Sequence, residues 1–154
     1  MTGCGLAKWG LLGLVALVTA LVEPPVGGAR AQSTDAQARE VLMREIAEAC
    51  EGARGKIARE GAIERDLDGD GLDDLIVSHE HIDCGGGGGG IAGRSLFCGM
   101  QVCSVNVYMR SPEGLVLEHE TLGGGVEVGP GPVPTVRMYQ HGGGEVTFTM
   151  ERVR

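Results

Sequence analysis

Aromatic side chains are scarce: one Trp, two Tyr and two Phe make up 3% of the 154 residues. A core without large rings must be filled by Val, Leu, Ile and Met, and a core that modest leans on cross-links or bound metal for part of its stability. Basic residues are also few, 13 Lys and Arg against 21 Asp and Glu. That balance argues against nucleic acid or an anionic membrane as partner, because both are held through clusters of Lys and Arg. The N-terminal apolar run at 9–22 has 14 residues, short of the ~20 needed to span hydrocarbon. Glycine is plentiful, but neither 85–90 nor 123–132 carries the GxGxxG or GK[ST] context of a phosphate-cradling loop. Both stretches read as flexible surface connections.

The N-terminus has the layout of a secretory signal peptide. Lys8 supplies the positive end, 9–22 the apolar stretch, and Pro24 and Pro25 break it. Ala29-Arg30-Ala31 then places small residues for cleavage before Gln32. Residues 1–31 are expected to leave, Cys4 with them, so no stable membrane insertion follows. What remains, 32–154, has the length of one domain. Lys8, Arg30 and Glu23 go with the leader, which leaves 11 basic and 20 acidic residues and a formal charge of −9.

Four cysteines stay behind: Cys50, Cys84, Cys98 and Cys103. An even count in a small exported chain reads as two disulfides, with three connectivities to choose among. Cys98 with Cys103 is the natural local pair, leaving Cys50 with Cys84; the rival joins Cys84 to Cys98 across the glycine tract. The spacing lacks the two C-x2-C halves of a four-thiolate zinc site.

The periodicity predicts a helix over 33–50, capped by Ser33, Thr34 or Asp35, with Val41, Leu42, Ile46 and Ala49 on one face. Strand patterns follow at 61–65, 74–79, 101–110, 115–122, 135–140 and 145–153. Ser111-Pro112-Glu113-Gly114 is a turn between two of them. The expected architecture is α+β: one N-terminal helix packed on an antiparallel β-meander of about six strands, in a single domain.

Chemistry concentrates in the loop 66–74. Asp66, Asp68, Asp70 and Asp74 repel one another unless a hard cation neutralises them, and calcium takes six to eight such oxygens in flexible geometry. Against the helix–loop–helix calcium pattern, Asp66, Asp68 and Asp70 fill positions 1, 3 and 5, and Gly71 fills 6. The Leu72 carbonyl falls at 7 and Asp74 at 9. Position 12, where a bidentate Glu is expected, is Val77, and a strand rather than a helix follows. A solvated acidic turn accounts for Asp and Gly separately, but not for aspartates at alternate positions.

Elsewhere, His79 and His81 form an H-x-H pair expected on one strand face, an alternative site for zinc or copper. No nucleophile stands beside a base: Ser78 and His79 are neighbours, which points them to opposite faces of a strand.

The D-x-D-x-D-G-x-x-D spacing, followed by Leu75-Ile76-Val77, resembles the calcium loops of FG-GAP and VCBS-type repeats. The motif occurs once, which excludes a propeller. The order of features also resembles small exported bacterial proteins: a helix ending in Cys, an acidic-loop hairpin, a downstream Cys, and Cys98-Gly99-x-x-x-Cys103. That likeness implies location and architecture, not activity. The sequence therefore predicts a periplasmic or secreted protein with a structural calcium, acting as a non-enzymatic binding module on an envelope protein or ligand. The alternatives are an envelope enzyme with a transition metal at His79 and His81, and an inhibitor of an exported hydrolase.

Overall fold

The computed structural model describes Met1 and residues 35–151. The rest of the expected leader, the cap candidates Ser33 and Thr34, and the end of the strand expected at 145–153 lie outside the described residues. Asp35 is the cap: its Oδ1 accepts from the backbone N–H of Gln37 at 2.8 Å and of Ala38 at 3.3 Å. Such a cap stabilises a helix by ~1 kcal/mol. The helix α1 runs Ala36–Ala49 and buries Ala38, Val41, Glu45 and Ala49, spaced three or four residues apart.

Among the described residues eight strands follow: β1 (Lys56–Ile57), β2 (Ala62–Arg65), β3 (Asp74–Ser78), β4 (Ile82–Asp83), β5 (Cys103–Ser111), β6 (Gly114–Val128), β7 (Val136–Tyr139) and β8 (Glu145–Phe148). β1 and β4 form a small antiparallel ribbon, and the other six form one curled antiparallel sheet in the order β2-β3-β5-β6-β7-β8. The expected α+β meander of six strands is therefore present.

Alternation along the strands sends side chains to two apolar clusters. Leu75 and Val77 on β3 join Tyr108, Ala38 and Val41 beneath the helix. Ile76, between them in sequence, faces the other way and packs with Leu67, Val105, Val107, Met109, Val136 and Met138 inside the curl. Each fully buried aliphatic side chain contributes ~1.5–3 kcal/mol. A third cluster surrounds the disulfide Cys50–Cys84, with Ala49 and Ile82. The second disulfide joins Cys98 to Cys103, so the expected local pair and the pair it leaves, Cys50 with Cys84, are the ones formed. Among the described residues no helix is long and apolar enough to cross a membrane.

Three sequence expectations are corrected. The segment expected to carry two histidines on one strand face is a 3-10 turn, His79–His81, which interrupts the chain between β3 and β4. Gly123 and Gly124 are not a loose connection but buried residues inside β6, where a Cβ would collide with Met138 and Tyr139. The β6–β7 register shifts between Gly124 and Glu127, bending the strand from one neighbour to the next. In the other tract, Gly88 and Gly89 lie tight against Cys50 and Cys84, so this stretch wraps the disulfide. A missing side chain signals freedom and close approach alike, and only the packing separates them.

Candidate metal centre

The acidic loop is the tip of the β2–β3 hairpin, closed by the pairing of Arg65 with Asp74. Gly69 and Gly71 adopt φ of +81° and +87°, a left-handed backbone that glycine takes without strain. The resulting turn aims backbone N–H groups at the carboxylates. Asp66 accepts from Gly69 N at 2.7 Å and Gly71 N at 2.9 Å. Asp68 accepts from Asp70 N at 3.1 Å, and Asp70 from Leu72 N at 2.8 Å. Asp74 is fully buried and anchors the loop to the sheet: Oδ2 accepts from Leu67 N at 2.8 Å, Oδ1 from Arg110 N at 2.7 Å.

Carboxylate oxygens of Asp66, Asp68 and Asp74 all lie within 4.8 Å of one another. Two ligands each ~2.4 Å from one calcium ion are at most ~4.8 Å apart, so this spread matches a single coordination sphere. The donors are hard oxygens throughout, which suits calcium better than zinc or copper. A carboxylate oxygen that accepts one hydrogen bond keeps a second lone pair for a cation. Asp70 and Leu72, the other two expected ligands, sit at the exposed rim outside this trio.

The loop's electrostatics follow from the same contacts. Burial pushes Asp66 up, but N–H groups of Gly71, Gly69, Asp68 and Asp70 outweigh it and hold its carboxyl below the usual range. Asp74 goes the other way. Its burial raises it, the charges of Asp68 and Asp70 add to the rise, and the bonds from Arg110 and Leu67 only partly offset them.

The second expected site does not assemble. His79 is 1% exposed and has both ring nitrogens engaged, Nδ1 with Ser95 Oγ at 3.0 Å and Nε2 with Glu45 Oε2 at 2.9 Å. No His/His metal grouping occurs among the described residues. Instead His79 belongs to a buried polar network that the sequence reading missed. Glu45, on α1, also accepts from Asn106 Nδ2 at 3.1 Å and from the Tyr108 hydroxyl. Arg44 lies 5.8 Å from the Tyr108 ring, and Phe97 meets His79 edge-on at 5.0 Å. Burial, then the Glu45 hydrogen bond, push the Tyr108 hydroxyl up to about 12, so it stays a donor.

Ser95, His79 and Glu45 are connected in the order of a nucleophile–base–acid relay. Ser95 is 1% exposed and its Oγ also accepts from Phe97 N at 3.1 Å. A hydroxyl so enclosed meets no substrate, and the network serves to lock α1 to β5 and the 79–95 segment. A pocket of about 460 Å³ beside the glycine tract is lined by glycines and Ala92 alone, so it offers backbone and no reactive side chain.

No family model, curated protein or solved structure matches the chain. The likeness to FG-GAP and VCBS-type loops therefore rests on the loop residues themselves.

Proposed function

We propose that this is an exported, calcium-stabilised binding module without catalytic activity. The observation that carries the calcium reading is the trio Asp66, Asp68 and Asp74, whose oxygens lie within 4.8 Å of one another, a spread that one calcium ion could bridge. Asp70 and the Leu72 carbonyl, with water, complete the expected ligand set. The ion would hold the hairpin tip in place rather than act as a switch, because a lone site without a pair of helices to open has nothing to transmit. Export to the periplasm or beyond is supported by the signal-like N-terminus and by two disulfides, which persist in oxidising compartments. An envelope protein or ligand is the expected partner.

Metal analysis of the chain purified without chelator and equilibrated by dialysis in 10 mM calcium, about tenfold above the weakest Kd expected of an exported module, with the dialysate subtracted, tests the reading. Calcium near one equivalent, with zinc and copper absent, is the expected result. A stoichiometric transition metal would instead favour the envelope enzyme.

A further inference from the structure

The two edges of β6 are used unequally. One edge pairs with β5 from Gly114 to Gly123. The other meets β7 only at Gly124, Glu127 and Val128. Along 115–122 this second edge has no strand beside it among the described residues. An extended strand turns alternate pairs of N–H and C=O groups to each side, so the open edge presents a row of donors and acceptors. At ~3.4 Å per residue the row runs about 27 Å.

Several side chains along it are exposed, although the His119 ring lies 5.2 Å from that of Phe148 and Val116 and Glu118 share a cleft with Thr149, Met150 and Glu151. Val116, Leu117 and Leu122 are 45%, 44% and 58% exposed. Glu118, His119 and Glu120 stand exposed between them. Leu117, Glu120 and Leu122 share one face, opposite Tyr108, Asn106 and Ser104 of β5. Glu118 has no residue opposite it on β5, because the register shifts there.

We propose that the open edge of β6 at 115–122 is a strand-addition site for an extended peptide with Lys or Arg at its centre and apolar residues on either side. Backbone hydrogen bonds to the edge would supply affinity, and alternate side chains specificity. Leu117 and Leu122 meet the apolar positions, while Glu118 and Glu120 meet the cations. A second copy of the chain complements this edge less well than a basic peptide does. Antiparallel self-pairing centred on His119 sets Glu118 against Glu120 twice, and like charges directly opposite destabilise a sheet. Of the two neighbouring registers one sets Leu117 against Glu120. The other, which sets Leu117 against Leu122 and His119 against Glu120, still leaves Glu118 facing Thr121 rather than a cation. The net charge of −9 expected after leader removal adds general repulsion between copies. The inference rests on the binding-module part of the functional reading and is independent of calcium.

Selection of a displayed random dodecapeptide library on the chain, followed by fluorescence anisotropy of the recovered peptides, tests it. Recovered peptides should alternate apolar residues around a central Lys or Arg. The double variant Glu118→Lys, Glu120→Lys should bind them at least tenfold more weakly with an unchanged Tm, and amide NMR shifts on binding should run along 115–122. Failure to recover peptides, peptides lacking basic residues, equal affinity for the charge-reversed variant, or shifts elsewhere overturn the proposal. So does a concentration-dependent dimer abolished by Leu122→Lys, which would assign the edge to a second copy. Repeating the binding in EDTA keeps the two readings apart: peptide affinity retained in a chain with no thermal response to calcium removes the ion and leaves the edge.

Discussion

Replacing Glu45 by Gln perturbs the buried network at its centre while nearly conserving volume. Three donors converge on this carboxylate: His79 Nε2, Asn106 Nδ2 and the Tyr108 hydroxyl. A Gln amide has one accepting oxygen and presents its NH2 where the other oxygen stood. With the oxygen kept for His79 and Asn106, the Tyr108 hydroxyl must turn to accept from the amide, and its own proton loses its partner. An unsatisfied buried group costs ~1–3 kcal/mol, and the charge-assisted character of the remaining bonds is lost as well. The expected destabilisation is about 2–4 kcal/mol, read as a lower urea midpoint at constant m-value. Against a total stability of ~5–15 kcal/mol the variant remains folded enough to measure.

The pH dependence checks the same reasoning. Burial alone would raise Glu45, but hydrogen bonds from His79, Tyr108 and Asn106 outweigh it and hold the carboxyl below its ordinary value of 4.5. A carboxyl depressed in the native state adds stability above the unfolded value, and loses it as pH falls through the folded one. The stability gap between wild type and Glu45→Gln should therefore hold constant above pH 4.5 and narrow in more acid solution. A gap under ~0.5 kcal/mol at neutral pH, or one that widens on acidification, would refute this account of the network.

Two further perturbations test the packing. Removing Cys50–Cys84 by the double replacement with Ser reopens a chain segment of 34 residues, and loop-closure entropy puts the cost at about 4 kcal/mol; an unchanged melting curve would contradict a stapling role. Gly123→Ala forces a methyl against Met138 and the Tyr139 carbonyl and should cost ~1–3 kcal/mol by overpacking, whereas Gly142→Ala in the exposed β7–β8 turn meets no neighbouring atom and answers only to its backbone conformation.

Local pattern carried the architecture and the disulfides. Period-two alternation in 101–110 and turn chemistry at 111–114 place the β5–β6 hairpin, and the short Cys98–Cys103 spacing favours its own closure. Asp35, Gly69, Gly71 and the alternating aspartates made the helix start and loop legible for the same reason: their chemistry acts within a few residues. The buried network was not legible because Glu45, His79, Ser95 and Asn106 come from four separate segments. One local sign was available. Glu45 lies four residues from both Val41 and Ala49 on the buried stripe of α1, and an acid on such a stripe requires partners. The glycines of β6 stayed hidden because their role depends on the opposing Met138 and Tyr139.

Asp68 is the proposed ligand on which calcium is best tested, because Asp74 also carries the backbone bonds that tie the loop to β5. Exported calcium modules bind with Kd on the order of 10⁻⁴–10⁻³ M, so 10 mM calcium should add about 1.4–2.7 kcal/mol by linkage. For a domain of this size that corresponds to a Tm increase of roughly 5–10 °C. Thermal melts of wild type and Asp68→Ala, in EDTA and in 10 mM calcium, should show that rise in the first and none in the second. A wild-type Tm indifferent to calcium, or an equal rise in Asp68→Ala, would contradict a metal centre at the hairpin tip.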